Sequence, residues 1–482
     1  MSSSQHSNDK AVSAGIGYSI GNYLIKGIAF LSVPIFARLM SAAEFGLYGA
    51  FSAYESILYL AAGLAIHNSY KNAKLRYSEE GGTLYDSYVS DSMLLVPAQS
   101  GVLLLLAVVF RNPLSRLTGL PVPALFLLVI YSFGAAVLSC WYSHASLEYD
   151  HVSYLRVSGL YAVGSAAAGI LLILTLFKDA PAAGRMTGTA IVMAVLSIYI
   201  ITVLVRRAPV RKFREMMHWG ILYSIPTIPG SISQTLLAEI DKIMLLRMKG
   251  AKAAGIYTFI FQIYLIAGVA LQSLESVWTP WFYEKYHEKS ILRIRRGICL
   301  CILLMAVFHS CLILAAPELV LILGGRNYEG GSLLAFPMLC GGFFAFIALF
   351  PSVLELYQGK TALNAAVCAV SAAVNLILGL IFIPLYGAEA AAVTVLFSHA
   401  FYAALHFFAA GRLPGRDDIF PRRALLSGCF FVLAAALFAC FAADSPVPRW
   451  SILIVIFVAG ALYGEKHYRL VSTLIHHIRK RR

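Results

Sequence analysis

The chain has 482 residues, of which 59% are hydrophobic and only 13% are charged, and its mean hydropathy is +0.76. A soluble globular protein carries about twice that charged fraction, so the composition excludes a soluble protein and indicates one embedded in a membrane. The net charge of +14 does not indicate a nucleic-acid partner, because the Lys and Arg residues are concentrated in alternate loops between apolar segments rather than in one patch.

Fourteen apolar segments follow one another along the chain. A membrane-spanning helix needs about 20 mostly apolar residues, and fourteen such helices with short loops use nearly the whole length. We therefore expect no large soluble domain, and we interpret the first segment as a helix rather than a removed signal peptide. The spans are predicted near residues 12–37, 44–66, 90–110, 122–142, 154–177, 186–205, 218–238, 255–277, 297–317, 333–355, 363–384, 388–410, 424–442 and 450–464.

The distribution of basic residues between the loops predicts the orientation. One set of alternate loops, which includes both termini, holds 26 of the 38 Lys and Arg residues, and the opposite set holds 11. Because basic residues accumulate on the cytoplasmic side, both termini are predicted to be cytoplasmic, in a bacterial inner membrane. The basic segment after Glu465 is expected either to lie on the anionic inner leaflet or to be a solvated tail.

The two halves of the chain show a weak internal repeat. Both copies of the matching segment leave one predicted helix, cross an outer loop and open the next helix in the same direction. This arrangement is typical of a parallel transporter repeat. We predict an all-α polytopic protein with a six-helix lobe at 1–217, a second six-helix lobe at 218–410, and an extra helix pair with a basic cytoplasmic tail at 411–482. An offset of 209 residues aligns Arg38 with Arg247, Leu39 with Met248, Gly46 with Gly255, Leu47 with Ile256 and Tyr48 with Tyr257.

Two charged residues lie near the middle of the first two predicted spans. Lys26 precedes the joining turn near residue 41 by about as many residues as Glu55 follows it, so antiparallel helices would place the two at similar depth. A charge at the bilayer centre costs about 2.5–3.5 kcal/mol on insertion scales. The two residues therefore form either an ion pair that joins the hairpin or part of a cavity that contacts substrate or protons. Asn22 lies one turn before Lys26 on the same face.

The seventh predicted span contains two prolines, Pro226 and Pro229. Interior prolines break a helix, and broken helices in transporters lie beside binding sites or hinges; a static kink is the alternative. Near its outer end the span carries Glu239, Asp241 and Lys242, where water is expected to be close. Asp241, Pro226 and Pro229 are the candidates for a coupling or gating role.

Other polar side chains inside spans are interpreted as hydrogen-bond partners between helices. These are Gln234, Gln262, Gln272, His309, Asn375, His399 and His406.

Motifs of known enzymes are missing from the sequence. There is no HExxH, no GxSxG and no Cys/His cluster with metal-ligand spacing, and Gly359-Lys360-Thr361 lacks the first glycine of a phosphate-binding loop. We therefore expect no cofactor, no metal and no enzymatic activity. Active movement of a substrate would draw on an ion gradient or on the membrane potential.

Three segments carry a family resemblance: IFARLMSAAEFGLYGAFSAY at 35–54, EIDKIMLLRMKGAKAAGIYTFIFQI at 239–263 and IPLYGAEAAAVTVLFSHA at 383–400. In order and spacing they resemble the polysaccharide biosynthesis, or Wzx-type oligosaccharide flippase, branch of the MOP (MATE-like) exporter superfamily. The resemblance covers about residues 10–410. It implies two six-helix lobes around a central cavity, alternating access, and a polyprenyl-pyrophosphate-linked oligosaccharide as the substrate.

The resemblance also implies roles for the candidate residues. Lys26 would attract the pyrophosphate, Asn22 would bind sugar, and Glu55 would keep Lys26 charged or act in coupling to H+ or Na+. Asp241 matches an acidic position of the family. The expected partners are the lipid-linked substrate and membrane lipids, with no nucleic acid, and a monomer suffices.

Two other functions stay open at this point. One is a cation-coupled multidrug exporter of the same superfamily, which would use acidic cavity residues; Lys26 argues against it. The other is a polysaccharide-assembly partner that transports nothing. The last two spans depart from the common twelve-helix pattern, as in lipid II flippase relatives, although those tend to carry several cavity arginines where this chain has one lysine.

Overall fold

The structure, a computed structural model, describes residues 27–28, 30–77, 83–208, 212–413 and 419–466. Every regular element in these ranges is an α-helix or a 3-10 helix, and no strand occurs in them. The chain divides into two compact units, Met1–Thr258 and Phe259–Arg482. The predicted lobe boundaries after residues 217 and 410 stay predictions.

The described residues of unit 1 form ten helices and the start of an eleventh. Short 3-10 turns at Ile66–Ser69 and Ile225–Thr227 interrupt two of its helical segments. The helices are α1 (Phe30–Leu39), α2 (Ala42–Ala62), α3 (Tyr70–Tyr77), α4 (Thr83–Val109), α5 (Arg111–Thr118), α6 (Val122–Leu147), α7 (His151–Thr175), α8 (Pro181–Arg207), α9 (Phe213–Ser224), α10 (Ile228–Lys249) and α11 (Ala251–His287), the last of which continues into unit 2.

Unit 2 continues with long antiparallel helices. A 3-10 turn at Arg326–Gly331 lies between the first two. They are α12 (Ile291–Gly324), α13 (Ser332–Tyr357), α14 (Thr361–Tyr386), α15 (Ala388–Ala410), α16 (Arg422–Phe441) and α17 (Pro446–Lys466).

Ten of the described helices are long and apolar enough to cross a membrane: α4, α6, α7, α8 and α11 to α16. The segment from α2 through α3 passes the same test as a pair bent by 57°. The described parts of the first, seventh and fourteenth predicted spans are also helical, as α1, α9 with α10, and α17. The predicted class, an all-α polytopic membrane protein, is confirmed.

The hairpin between α1 and α2 is closed by a capping box at Ser41 and Glu44. The Glu44 amide donates to the Ser41 hydroxyl at 3.3 Å, and the Ser41 amide donates to the Glu44 carboxylate at 3.0 Å. Two N–H groups that a helix start leaves unpaired are thereby satisfied, which explains why α2 begins directly after so short a turn.

Helix α2 crosses the start of α11 at two glycines. A methyl group added to Gly46 would overlap the carbonyl oxygen of Ala251, and one added to Gly255 would overlap that of Ala42. Because only glycine lets two backbones approach this closely, both positions need it. The 209-residue offset converts Ala42 into Ala251 and Gly46 into Gly255, so it relates the two sides of this contact.

Arg185 of α8 lies against the aromatic rings of the first hairpin. Its guanidinium carbon is 3.9 Å from the ring centre of Phe36 and 3.8 Å from that of Tyr48, with Phe45 at 5.3 Å. Cation–π contacts of this kind contribute about 2 kcal/mol when they are shielded from water. They hold α8 against α1 and α2.

The last helix is attached to unit 2 by a buried arginine. Arg449, which is 3% exposed, donates from its two terminal nitrogens to the Glu318 carboxylate, each at 2.7 Å. It also donates to the carbonyl oxygens of Leu314 at 2.8 Å and Ala442 at 3.0 Å. The bidentate geometry fixes the start of α17 against the end of α12.

We expect Arg449→Lys to destabilise the protein, because a lysine ammonium cannot reproduce the bidentate contact with Glu318. The loss should be about 1–3 kcal/mol of the free energy of unfolding, measured as a lower melting temperature of the purified protein in detergent. Arg423→Lys is the matched control, since Arg423 is exposed at the start of α16. Equal melting temperatures for the two variants would contradict this account of the α12–α17 attachment.

Candidate functional site

The polar residues of unit 1 gather around Glu55 on α2. Glu55 is 9% exposed, and its carboxylate lies within electrostatic range of Tyr59, Tyr131 and Tyr161. The hydroxyls of Tyr131 on α6 and Tyr161 on α7 are hydrogen-bonded at 2.9 Å. Three helices therefore bring a carboxylate and phenol groups together inside the membrane-spanning region. Tyr48 on α2 lies within electrostatic range of both Tyr131 and Tyr161.

We call Tyr48, Glu55, Tyr59, Tyr131 and Tyr161 the tyrosine cluster. Its aromatic faces suit the apolar faces of sugar rings, and its hydroxyls and carboxylate suit sugar hydroxyls. Sequence analysis found Glu55 but missed the tyrosines as site residues. A signal was present on α2, where Tyr48, Glu55 and Tyr59 recur at helical spacing on one face; the partners on α6 and α7 have no such signal.

The predicted partners of Glu55 on the first span, Asn22 and Lys26, lie outside the described residues. The ion pair between Lys26 and Glu55 and the alternative of a shared cavity both stay predictions. The described neighbour of Glu55 that carries charge is another carboxylate, Glu239 on α10. Two carboxylates near one another favour a cation or a proton between them.

The seventh span is broken at its prolines. Pro226 lies in the 3-10 turn between α9 and α10, and Pro229 lies in the first turn of α10. The Asn68 side-chain amide donates to the Thr227 hydroxyl at 2.8 Å, and Asn68 lies in the other 3-10 turn, at the bend after α2. One hydrogen bond therefore joins the two interrupted segments of unit 1.

Asp241 is 1% exposed and accepts a hydrogen bond from the Tyr257 hydroxyl at 3.2 Å. Lys242, 5% exposed, forms an ion pair with Glu239 at 2.5 Å. These side chains are packed among helices rather than solvated, which differs from the water-exposed position expected for the outer end of the span. The physical reason is the proximity of α2 and α11, which cover α10.

Unit 2 contains a groove that sequence analysis missed. Its volume is about 1210 Å³, and helices α12, α16 and α17 form its walls. The lining is largely aliphatic and aromatic, and Arg295 and Arg296 lie within it near the start of α12. We call it the α12–α16–α17 groove. The sequence indicated the last two helices only as an appended pair. The groove was missed because hydropathy does not reveal which faces of separate helices form a common surface. Its other lining residues include Leu303, Ala306, Val307, Ser427, Phe431 and Ile456.

The described residues contain no group of three or more His, Cys, Asp or Glu side chains that could hold a metal ion.

The chain matches a known protein family. The sequence profile of a family described as polysaccharide biosynthesis protein matches residues 12–286, more than half of the chain. The chain belongs to the polysaccharide biosynthesis protein family. The family resemblance stated from the sequence is confirmed. No curated protein matches the chain in sequence.

Solved structures share the fold of this family member. A lipid II flippase, MurJ, in an inward closed conformation has a TM-score of 0.72 at 13% identity, over 94% of this chain and 100% of that one. An inward-facing MATE multidrug resistance transporter of the MOP superfamily has a TM-score of 0.62 at 14% identity, over 82% and 97%. A MOP superfamily transporter from Pyrococcus furiosus has a TM-score of 0.55 at 16% identity, over 84% and 95%. At these identities the likeness shows the fold alone.

The tyrosine cluster predicts a difference in water access between two positions of unit 1. In a cysteine-free background, Tyr59→Cys should react with a membrane-impermeant maleimide, because polar groups at this depth need water or a substrate. Leu160→Cys on α7 is the control, since Leu160 is 61% exposed on an apolar surface suited to lipid. Labelling is measured by gel shift in intact membranes. Equal labelling of the two variants would contradict a water-filled cluster. Labelling of Leu160→Cys without labelling of Tyr59→Cys would contradict it as well.

Proposed function

We propose that this protein is a flippase that moves a polyprenyl-pyrophosphate-linked oligosaccharide from the inner to the outer leaflet of the bacterial cytoplasmic membrane, by alternating access, for surface polysaccharide export. The proposal rests on the α12–α16–α17 groove. This groove is mostly apolar, has a volume of about 1210 Å³, and contains two arginines near one end. The proposal also places both termini in the cytoplasm.

The groove has the chemistry of a lipid pyrophosphate. A prenyl chain gains about 0.8 kcal/mol for each CH₂ transferred from water to an apolar surface, but it gains little over bulk lipid. The arginines supply the selectivity, because guanidinium groups bind phosphate oxygens through paired hydrogen bonds. Arg295 and Arg296 lie one turn into α12, at the end of the groove where a headgroup would lie at the membrane surface.

The sugar portion is assigned to unit 1. In this proposal the tyrosine cluster stacks on and hydrogen-bonds sugar rings, Asn22 adds hydrogen bonds, and Lys26 attracts the pyrophosphate after it has left Arg295 and Arg296. Glu55 binds sugar hydroxyls or keeps Lys26 charged. Many sugars can form such hydrogen bonds and stack on aromatic rings. The tyrosine cluster therefore supports an oligosaccharide as the class of substrate, without selecting one sugar.

The hinge is assigned to the interrupted segments of unit 1. A 3-10 turn has weaker backbone hydrogen bonds than an α-helix, and Pro226 and Pro229 remove two donors. Alternating access requires a few residues that absorb a change of backbone angle. Pro226 and Pro229 are proposed to do this, with the Asn68–Thr227 hydrogen bond coordinating the two bends and Asp241 gating.

A multidrug exporter is the second candidate, and one observation favours it. Glu55 and Glu239 lie near one another beside tyrosine rings, and acidic groups with aromatic faces bind organic cations. The Lys242–Glu239 ion pair already neutralises one of the two carboxylates, which weakens this reading relative to the flippase.

Reconstitution tests the flippase proposal. Purified full-length protein in liposomes should move a fluorescent short-chain polyprenyl-pyrophosphate oligosaccharide between leaflets, measured by loss of protection from a membrane-impermeant quencher. The double variant R295Q/R296Q should slow this movement about tenfold or more, since losing about 1.4 kcal/mol of headgroup binding has that effect. Arg293→Gln is the matched control: Arg293 is exposed on the same helix outside the groove and should stay within about twofold of wild type.

Two results would overturn the proposal. One is the absence of protein-dependent movement of the lipid-linked sugar with substrate and driving ion varied. The other is movement of organic cations with no movement of the lipid, which would favour the exporter. Equal rates for R295Q/R296Q and R293Q would remove the arginines from the mechanism.

Lys26 is tested by charge and shape. We expect Lys26→Gln to reduce movement of the lipid-linked sugar per molecule of protein about tenfold or more and Lys26→Arg to retain most of it, because the cation and not the ammonium shape attracts pyrophosphate. Transport is divided by the amount of protein in the membrane. A fall in protein level with unchanged transport per molecule would show that Lys26 only joins the hairpin.

A further inference from the structure

Unit 2 contains a buried carboxylate paired with a buried imidazole. Glu355, near the end of α13, and His406, one turn before the end of α15, both have no exposed surface. The Nδ1 atom of His406 is 2.9 and 3.0 Å from the two carboxylate oxygens of Glu355. Asn364 donates its side-chain amide to Glu355 Oε2 at 3.1 Å and to the Ser352 hydroxyl at 2.8 Å. Both oxygens of Glu355 thus accept hydrogen bonds.

These contacts fix where a proton can be added. An ionised carboxylate only accepts hydrogen bonds, so the Nδ1 atom of His406 must carry the hydrogen that it shares with Glu355. In a neutral imidazole the lone pair is then on Nε2, an atom that is buried and has no hydrogen-bond partner among the described residues. The pair in this state carries one net negative charge. Addition of one H+ at Nε2 gives an imidazolium beside a carboxylate and a net charge of zero.

Two other buried histidines of unit 2 lack this arrangement. His309 Nδ1 bonds to the carbonyl oxygen of Met305 at 2.8 Å, and His399 Nδ1 bonds to that of Val395 at 2.9 Å. Both partners lie one turn earlier on the same helix and are uncharged. Those two histidines bond to the backbone of their own helix, whereas His406 is paired with a carboxylate on a neighbouring helix.

A tyrosine lies on one side of the pair. The ring of Tyr402, one turn before His406 on α15, packs edge-on against the imidazole with 4.5 Å between ring centres. Tyr402 is half-buried and lies within electrostatic range of Glu355 and of Glu275, an exposed carboxylate on α11. Tyr402 is therefore the described side chain that contacts the imidazole ring and also interacts with a carboxylate outside the pair.

The remaining titratable groups do not neutralise the pair by themselves. Lys360, at the start of α14, donates its backbone amide to the Glu355 carbonyl oxygen at 2.9 Å, and its side chain is exposed. Cys368 of α14 interacts with Tyr402. The elements packed against α13 and α15 carry further ionisable side chains. They are Arg293, Arg295, Arg296, Cys299, Cys301, His309, Cys311 and Glu318 on α12, Arg326 and Tyr328 on the 3-10 turn, Cys368 and Tyr386 on α14, and Arg422, Arg423, Cys429 and Cys440 on α16, with Cys340 and Tyr357 on α13 and Glu389 and His399 on α15.

We propose that the Glu355–His406 pair is a proton-binding site that takes up and releases one H+ at His406 Nε2 in each transport cycle, so that H+ is the coupling ion. The proposal rests on the proposed function. The proton is favoured over Na+ because Glu355 is surrounded by N–H donors, and a hard cation needs several oxygen ligands instead. The protonated pair is neutral and stable when enclosed. The deprotonated pair carries a buried charge, which favours a conformation in which Tyr402 admits water.

The test imposes a pH difference across liposomes that contain the full-length protein, with the membrane potential clamped at zero by K+ and valinomycin. Wild type should accumulate the fluorescent lipid-linked oligosaccharide in one leaflet by up to about tenfold per pH unit for one proton per cycle. His406→Gln and Glu355→Gln should give no accumulation above that without a gradient. His399→Gln, a buried histidine on the same helix that bonds only to backbone, is the matched control and should respond as wild type does.

A second measurement keeps this site testable if no substrate moves at all. Titration of the purified protein in detergent with a pH-indicator dye should show one fewer proton bound by H406Q than by wild type, and no such deficit in H399Q. If H406Q does not reach the membrane, E355Q makes both comparisons, since its amide keeps the shape and one acceptor oxygen.

The outcomes separate the two proposals. No movement of the lipid in wild type overturns the flippase and leaves the dye titration to decide the proton site. Movement in wild type with equal responses to the pH difference in H406Q, E355Q and H399Q overturns the proton site and leaves the flippase standing. Equal proton binding by wild type and H406Q also overturns the site.

Discussion

Inside a bilayer every backbone N–H and C=O must find its partner within the protein, and this constraint governs the rest of the structure. It explains why all described regular elements are helices. It also makes each interruption of a helix informative, because the freed backbone groups need a substitute. The bends at Ile66–Ser69 and Ile225–Thr227 have one: the Asn68 amide reaches Thr227. A polar side chain thus supports two breaks at once and gives unit 1 a pair of linked bends.

The same constraint limits how helices may approach. Without water between them, apolar helices gain little from hydrophobic burial and depend on close packing. Gly46 and Gly255 allow the backbones of α2 and α11 to touch, and Arg185 fills the neighbouring space with a cation held by aromatic rings. At the other end of the chain, Arg449 saturates carbonyl groups and Glu318 together. Small residues and arginines therefore contribute to helix packing in this fold together with the large buried apolar side chains.

Sequence patterns predicted the elements far better than the site. Hydropathy and proline positions indicated the helices and the bend at Pro226, because each of these is encoded within a single segment. The groove around Arg295 and the pair of Glu355 with His406 could not be found in this way. Their members are 51 residues apart or more, or come from three helices, and helix rotation is set by packing that hydropathy does not record. Glu355 was also hidden by its position at the predicted end of a span.

Two kinds of buried ion pair occur among the described residues, and the difference between them bears on function. Arg449 with Glu318, and Lys242 with Glu239, are opposite charges within 2.7 Å, which neutralise each other and fix helices. Glu355 is instead matched by a group whose charge depends on a proton. A histidine at this position makes the stability of the enclosed pair depend on proton occupancy, which is the property that a transporter driven by a proton gradient requires.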